Sequence, residues 1–164
     1  RTYTGFLYAG VMITDEGTPK VLEFNCRFGD PETQPIMMRL KSDLITLCLA
    51  SFNNTLNKCK VNWERRAALG VVTASAGYPV SASKGDLIKG LDSNFPDHVK
   101  IFHAGTSDTD NKIVTAGGRV LCITALGETV SEAKNYTYNA IKNISYDGMF
   151  FRNDIGHRAV IREN

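Results

Sequence analysis

The segment KVLEFNCRFGDPE, residues 20–32, combines the pattern of a β-strand with an unusual concentration of charge. Glu23 and Asn25 interrupt a run of apolar residues. Because successive side chains of a strand point to opposite faces, Glu23 and Asn25 share one face, with Arg27 beside them if the strand continues. The side chains that alternate with them point to the other face: Leu22, Phe24 and Cys26. We expect that other face to be core.

A carboxylate and an amide oxygen on one face form a donor pair that suits Mg²⁺. This ion usually keeps several waters and binds through one or two carboxylates plus substrate phosphates. Arg27 can contact a phosphate oxygen or a developing charge from the same face. The Glu-x-Asn pattern alone also fits the polar face of a half-exposed strand. The turn that carries Asp30 and Glu32 favours a site, because it adds more charge than a solvated face needs.

The residues around this segment predict a hairpin and two helices. Residues 5–13 and 20–25 alternate with a Thr-Asp-Glu-Gly turn between them, which indicates a β-hairpin. Asp30 is predicted to cap a helix that starts with Pro31, and a second helix is predicted from Ser42. The polar, Asn-rich stretch that follows places a boundary near residue 60, dividing the chain into residues 1–60 and 61–164.

The second part is richer in strands. Strands are predicted within residues 67–79, 97–106 and 117–127, with a polar loop at 107–112. A helix is predicted from Thr129 or Ser131 to about Ile144, and the tail GMFFRNDIGHRAV, residues 148–160, is predicted to be short and extended. Two details stay open. Gly117-Gly118-Arg119 is either a tight turn, which we favour, or the rim of a site. Arg152 and Asp154 could form an ion pair, and we favour a structural role in which this pair docks the tail.

The composition, net charge and cysteine content of the chain argue against several classes of protein. Of its 164 residues, 43% are hydrophobic and 22% charged, so it can bury a core and is not disordered by composition. A net charge of +2 gives no reason to expect a nucleic-acid or membrane partner, and no apolar run reaches membrane-spanning length. The four cysteines form no Cys-x-x-Cys pair and predict reduced thiols in a cytoplasmic protein: Cys26, Cys48, Cys59 and Cys122.

Two sets of motifs resemble one known family. LEFNCRFGDPETQ and MMRLKSDL resemble the closing part of the ATP-grasp fold in the glycinamide ribonucleotide synthetase (phosphoribosylamine–glycine ligase) family. AGYP, FHAGT, GGRVL and FRNDIG are similar to the C-terminal domain of that family, in the same order. The resemblance covers essentially the whole chain. It implies an α+β protein in which the C-terminal half of an ATP-grasp domain precedes a small β-rich, barrel-sandwich-like domain.

The resemblance also implies an activity and the residues that serve it. The family joins glycine to 5-phosphoribosylamine in purine biosynthesis and splits ATP to ADP and phosphate through a glycyl phosphate. By resemblance, Glu23 and Asn25 hold the Mg²⁺ (or Mn²⁺) that bridges the nucleotide phosphates. Arg27 stabilises the charge of the transferred phosphoryl group or acyl phosphate. Asp30 and Glu32 position the substrates.

The same resemblance indicates a missing partner segment. No phosphate-binding loop precedes Glu23, and Arg1 stands where an initiator Met is expected, so we expect the C-terminal part of a longer polypeptide that is inactive alone. Three alternatives stay open: another ATP-grasp carboxylate–amine ligase, a non-catalytic barrel-sandwich binding module, or a scaffold with incidental surface polars. Lys84 and Lys112 lack the flanking residues of a biotin or lipoyl carrier, which argues against a carrier role.

Overall fold

The computed structural model describes residues 3–163, so the expectation about Arg1 lies outside the described residues. The strands in this range are β1 (Tyr8–Ile13), β2 (Pro19–Asn25), β3 (Ala67–Ala74), β4 (Val99–His103), β5 (Thr106–Thr109), β6 (Lys112–Thr115), β7 (Arg119–Gly127) and β8 (Phe150–Phe151). The helices are α1 (Thr33–Arg39), α2 (Leu44–Phe52), α3 (Val130–Ile141) and α4 (His157–Glu163), with a short 3₁₀ turn at Leu56–Lys58.

The strands form three antiparallel sheets. β1 pairs with β2, β5 pairs with β6, and the largest sheet has the order β4-β7-β3-β8. The predicted α+β class with a β-rich second part is confirmed. Across residues 3–163 the four-stranded sheet stays open and no sheet closes into a barrel. No helix in that range is long and apolar enough to cross a membrane.

The core lies around β7, the second strand of the largest sheet. Every residue of β7 after Arg119 is buried, because helices cover both faces of the sheet. On one face α3 packs over β3 and β7, where the Thr137 hydroxyl donates to the Leu69 carbonyl oxygen at 3.0 Å. On the other face α1 packs over Gly70, where an added Cβ would lie 3.2 Å from Cγ of Pro35. The sheet is therefore the middle layer between two helices.

The hairpin of β1 and β2 is confirmed, but the burial expected of one of its faces is wrong. Leu22 is 65% exposed and Phe24 is 61% exposed, and Cys26 is exposed as well. The physical reason is that neither strand has a second neighbouring strand among residues 3–163, and a two-stranded ribbon cannot bury a face by itself. The apolar alternation remains, and it faces outwards.

The start of α1 also differs from the prediction. The helix begins at Thr33, so Asp30 is not its N-cap and Pro31 is not its first residue. Glu32 holds the N-cap position without a capping hydrogen bond from its side chain. The backbone N–H of Thr33 donates to the Gly29 carbonyl oxygen at 3.1 Å, which closes a turn before the helix. Asp30 lies in that turn and points elsewhere.

The other two predicted helices form close to their expected positions. Asp43 caps α2 by accepting from the backbone N–H of Thr46 at 2.6 Å, so the helix starts two residues after Ser42. Thr129 caps α3 by accepting from the backbone N–H of Glu132 at 3.1 Å. Short polar side chains at these positions satisfy donors that the first turn leaves free.

The predicted polar loop at 107–112 is in fact a hairpin. β5 and β6 pair across it, and Asp110 and Asn111 form its two-residue turn with φ values of 52° and 60°. Turns of this kind need two residues with positive φ, a conformation that Asp and Asn tolerate better than most residues. The side chains of β5 are mostly exposed, so they are polar and do not show the apolar alternation by which a strand is recognised.

The tail is extended only at its start. Phe150–Phe151 adds β8 to the edge of the sheet, and α4 then runs over His157–Glu163, so the prediction of an extended tail is wrong there. The Glu163 carboxylate accepts from the backbone N–H groups of Val130 and Ser131 at 2.6 and 3.0 Å. This contact gives α4 an anchor at the start of α3 that no local pattern could reveal.

The predicted pair of Arg152 and Asp154 forms, with contacts of 2.8 and 2.6 Å. It lies within the tail, so the pair itself does not dock the tail on the rest of the chain. Docking goes through Tyr138 of α3, whose hydroxyl donates to the Arg152 carbonyl oxygen at 2.7 Å and accepts from the backbone N–H of Ile155 at 3.2 Å. The Arg152 guanidinium lowers the pKa of Asp154 to about 2.

Glu64 ties the end of α1 to the start of β3. Its carboxylate accepts from the Arg66 guanidinium at 3.1 Å and pairs with the Lys41 ammonium group at 3.3 Å. Its carbonyl oxygen accepts from the Arg39 guanidinium at 3.1 Å. The hydrogen bond from Arg66 is the first cause that lowers the pKa of Glu64 to about 2.

Two isoleucines test whether the sheet is the stable part of the chain. Ile123 of β7 is fully buried, whereas Ile161 of α4 is 70% exposed. We expect Ile123→Ala to lower the free energy of unfolding by about 2–5 kcal/mol, because it leaves a cavity in a packed core. Ile161→Ala should change it by less than about 0.5 kcal/mol. Urea denaturation of both variants measures the difference, and equal effects would contradict this assignment of the core.

Glu64 predicts a specific acid sensitivity. Because its pKa is lower in the folded chain than the usual 4.5, its contribution to stability is present above pH 4.5. That contribution is lost as the pH falls towards 2. We expect Glu64→Gln to flatten the fall of the unfolding free energy over this range, measured by denaturation at a series of pH values. Asp92→Asn, which removes an exposed carboxylate, is the control, and a slope unchanged by Glu64→Gln would refute the assignment.

Candidate functional site

The pairing of β1 with β2 defines the face on which the candidate site lies. Tyr8 is opposite Asn25 and Gly10 is opposite Glu23, so these four residues share one face of the hairpin. A Cβ added to Gly10 would lie 3.1 Å from Cγ of Glu23. The Glu23 side chain therefore lies across Gly10, and a larger residue there would push it aside.

The turn after β2 folds back over the same face. The Tyr8 hydroxyl donates to Oε1 of Glu32 at 3.3 Å. A Cβ added to Gly29 would lie 2.8 Å from the Tyr8 ring and 2.5 Å from the Glu32 carboxylate, so only glycine fits this close approach. Tyr8 thereby brings Glu32 to the face that carries Glu23 and Asn25. Sequence reasoning missed Tyr8, and its position opposite Asn25 was the available signal.

The charged groups around Tyr8 shift its pKa. The Glu32 carboxylate raises this pKa most, the Glu23 carboxylate raises it further, and the Arg27 guanidinium lowers it. All three charged groups thus act on one phenol. The Arg27 guanidinium also donates to the Phe28 carbonyl oxygen at 2.8 Å, which holds the arginine beside the turn. The structure therefore brings Glu23, Asn25, Arg27 and Glu32 together around Tyr8.

Two side chains of this face have no partner within the described chain. The Nδ2 atom of Asn25 is buried without a hydrogen bond, and the carboxylate of Glu23 makes neither a hydrogen bond nor an ion pair among residues 3–163. The Asn25 amide can present its oxygen instead by rotation, since oxygen and nitrogen are assigned from the surrounding hydrogen bonds. A buried amide without a partner is costly unless a ligand satisfies it.

These donors fit part of a Mg²⁺ site. Glu23 and Asn25 offer hard oxygen ligands, which this ion prefers. Within residues 3–163 no group of three or more His, Cys, Asp or Glu side chains is arranged to hold a metal ion. A metal at this face would therefore take its remaining ligands from outside these residues, with phosphate oxygens and water among the candidates. Such a ligand set is typical of metal ions that bind together with a nucleotide.

Asp30 has a different partner and pairs with a residue of the second half of the chain. Its Oδ2 atom lies 2.9 Å from Nη2 of Arg119, and its carbonyl oxygen accepts from Nη1 of Arg119 at 3.3 Å. Arg119 is the first residue of β7. Because it lies 89 positions after Asp30, local sequence patterns could not reveal this contact. Its Gly-Gly-Arg motif was the only signal.

Comparisons with known proteins agree with this arrangement. The family model described as "Phosphoribosylglycinamide synthetase, C domain" matches residues 68–158, more than half of the chain. The chain belongs to this family. A second model, "Phosphoribosylglycinamide synthetase, ATP-grasp (A) domain", matches residues 1–33, which include β1, β2 and the turn with Asp30. The resemblance found in the sequence motifs is thus confirmed.

Individual relatives give the same result. The chain is 59% identical over 161 residues to phosphoribosylamine–glycine ligase of Vibrio parahaemolyticus, and 55% identical over 163 residues to that of Pseudomonas putida. These matches cover 98% and 99% of the chain but 38% of each relative. The chain therefore spans somewhat over a third of the length of the curated relatives that it matches.

Solved structures support the fold. The crystal structure of phosphoribosylamine–glycine ligase from Thermotoga maritima matches 91% of the chain and 36% of its own, with a TM-score of 0.74 and 36% identity. The urea carboxylase of Kluyveromyces lactis matches 91% of the chain and 13% of its own, with a TM-score of 0.56 and 15% identity. The second likeness shows that the fold is shared with a carboxylase.

The titration of Tyr8 tests the geometry of the site directly. We expect the pKa of Tyr8 to lie above its usual value of 10.0 and to fall in Glu32→Gln, because that variant removes the first cause of the shift. NMR of ring-labelled tyrosine against pH measures it. Glu16→Gln, in the turn beyond the far end of β1, should leave the pKa unchanged. A Tyr8 pKa that is insensitive to Glu32→Gln would contradict the contact.

Proposed function

We propose that this chain is the C-terminal part of a phosphoribosylamine–glycine ligase of the ATP-grasp type. Residues 1–60 would close the ATP-grasp domain, and residues 61–164 would form the C-terminal domain of the enzyme. The positions of the two family-model matches and the identity to named ligases support this proposal. The exposed apolar face of the hairpin supports a longer polypeptide, because Leu22 and Phe24 need a covering element that residues 3–163 do not supply.

The proposed reaction joins glycine to 5-phosphoribosylamine. A carboxylate oxygen of glycine attacks the γ-phosphorus of ATP and releases ADP, giving glycyl phosphate. The amine of 5-phosphoribosylamine then attacks the acyl carbon, phosphate leaves, and the amine loses a proton to complete glycinamide ribonucleotide. Both steps depend mainly on positioning and on neutralising charge at oxygen atoms.

One observation carries the proposal: Glu23 and Asn25 lie side by side on one face without an internal partner. Together they would hold Mg²⁺, or Mn²⁺ in its place, which when bound neutralises the charge of the nucleotide phosphates. The carboxylate supplies charge, and the amide supplies an oxygen. The lack of competing contacts keeps both side chains available for this task.

The charged residues beside this pair have separate roles. Arg27 is exposed on the nucleotide side of the turn and would stabilise the negative charge of the transferred phosphoryl group. Glu32, fixed by Tyr8, and Asp30, fixed by Arg119, would position the glycine amine or the attacking amine. Two carboxylates held at known places suit cationic amine groups.

The partners in this proposal are small molecules and the preceding part of the same polypeptide. The nucleotide pocket, which must supply cationic groups for the phosphates, would come from that preceding part. We place the enzyme in the cytoplasm, and the four cysteines, free in the described part of the chain, support that location.

The decisive experiment measures ADP release by the full-length gene product with MgATP, glycine and freshly prepared 5-phosphoribosylamine. We expect ADP only when both substrates are present. Glu23→Gln should lower kcat/KM by at least about 100-fold while the protein stays folded, because the variant loses the charge that holds the metal. Glu16→Gln, a glutamate of the same hairpin outside the site, is the matched control.

Two results would count against the proposal. Activity with another carboxylate and none with glycine would assign the chain to a different ATP-grasp ligase. Full activity of Glu23→Gln would remove the metal role from this face. The 164-residue chain alone should release no ADP, since no phosphate-binding loop precedes Glu23 in its sequence.

A further inference from the structure

We propose that Arg119 is a positioning residue that holds the turn of residues 29–32 against the C-terminal sheet and orients Asp30 towards the substrates. This inference rests on the proposed function for its catalytic consequence. Its structural part, the control of the turn by β7, stands on the contacts between Arg119 and Asp30 alone.

Arg119 grips Asp30 at two points. Nη2 lies 2.9 Å from the side-chain Oδ2 atom, and Nη1 donates to the backbone carbonyl oxygen at 3.3 Å. One contact holds the carboxylate and the other holds the backbone of the turn, so a single guanidinium links the two. Oδ1 of Asp30 makes no hydrogen bond or ion pair among residues 3–163 and would be available to a cationic group of a substrate.

The backbone around Arg119 is itself held from two sides. The Arg119 carbonyl oxygen accepts from the backbone N–H of Gly105 at 2.8 Å. Ser75, fully buried, donates from its backbone N–H to the Gly118 carbonyl oxygen at 2.9 Å and from its hydroxyl to that of Gly117 at 3.1 Å. These bonds give the guanidinium a fixed base.

An aromatic ring completes this support. A Cβ added to Gly118 would lie 2.3 Å from the ring of Tyr78, so the ring covers the glycine that precedes Arg119. The short motifs AGYP, FHAGT and GGRVL thus meet at one place, although they are far apart in the sequence. Their meeting point is the base of the arginine that reaches the turn of the first motif.

Stability alone does not account for this contact. The side chains of Arg119 and Asp30 are 41% and 48% exposed, and exposed ion pairs add little to the stability of a fold. A contact of this kind matters where it fixes geometry. Here it fixes the turn that also carries Glu32, whose carboxylate accepts the hydrogen bond from Tyr8. Release of Asp30 would therefore loosen the turn that carries both carboxylates.

The kinetic test uses the full-length gene product and three variants: Arg119→Ala, Arg119→Lys and Asp30→Asn. We expect Arg119→Ala to lower kcat/KM for glycine and 5-phosphoribosylamine by about 10–100-fold, as loss of a residue that orients a ligand does. The KM for ATP should change less than about twofold. Arg119→Lys should recover part of the loss, because lysine keeps the charge but makes one contact. Arg162→Ala, an exposed arginine of α4, is the control.

A double-mutant cycle separates positioning from independent roles. If Arg119 acts through Asp30, the double variant Arg119→Ala/Asp30→Asn should be no worse than the poorer single variant. Losses that multiply would overturn the inference, as would an Arg119→Ala enzyme that matches Arg162→Ala. Should Arg119→Ala fail to fold, Arg119→Lys decides, and full activity in that variant would refute the need for two contacts.

A second readout needs no activity. In the full-length protein, Arg119→Ala should raise the hydrogen-exchange rate of the Thr33 amide, which closes the turn on the Gly29 carbonyl oxygen, because the turn loses its contact with β7. An unchanged exchange rate would overturn the inference. A wild-type enzyme that is inactive with glycine would instead refute the proposed function, and the exchange measurement would still decide the role of Arg119.

Discussion

The register of the β1–β2 hairpin is the constraint on which the candidate site depends. Tyr8 pairs with Asn25 and Gly10 pairs with Glu23, which places a phenol, an amide and a carboxylate on one face. A slip of one residue in β2 would turn Glu23 and Asn25 to the opposite face. The register shift between Gly10 and Val11 lies beside this pairing, so the ladder is irregular where the Glu23 side chain crosses β1.

Within residues 3–163, the contacts with the C-terminal sheet support this hairpin at the turn that follows β2. α1 follows the turn of residues 29–32 and packs on the sheet formed by β3 and β7, and Arg119 reaches from β7 to Asp30. Glu64 connects the end of α1 to the start of β3. The hairpin is therefore held towards the C-terminal sheet at its turn, and its exposed apolar face lies on the side opposite the candidate site.

Local patterns predicted much of this arrangement. The alternation of residues 20–25 gave the strand and the shared face of Glu23 and Asn25, and short polar residues marked the starts of α2 and α3. The prediction that Asp30 caps α1 was wrong, because the residues of this turn also suit a helix cap. Its actual role depends on a partner 89 positions away, which propensity and spacing cannot reveal. The predicted burial of the Leu22 and Phe24 face was wrong for a related reason, since alternation predicts that a face is apolar but not which element covers it.

The two exposed features of the hairpin differ in kind, and the difference bears on function. Its apolar face needs any well-packed surface, because burial of apolar area is not directional. Its polar face is specific: the Asn25 amide is buried without a partner, and Glu32 and Glu23 both raise the pKa of Tyr8. The negative charge of these two carboxylates near one phenol favours a cation at this face. The polar face is therefore incomplete in its electrostatics as well as in its hydrogen bonding, and in the proposed function a nucleotide with a divalent ion would supply what it lacks.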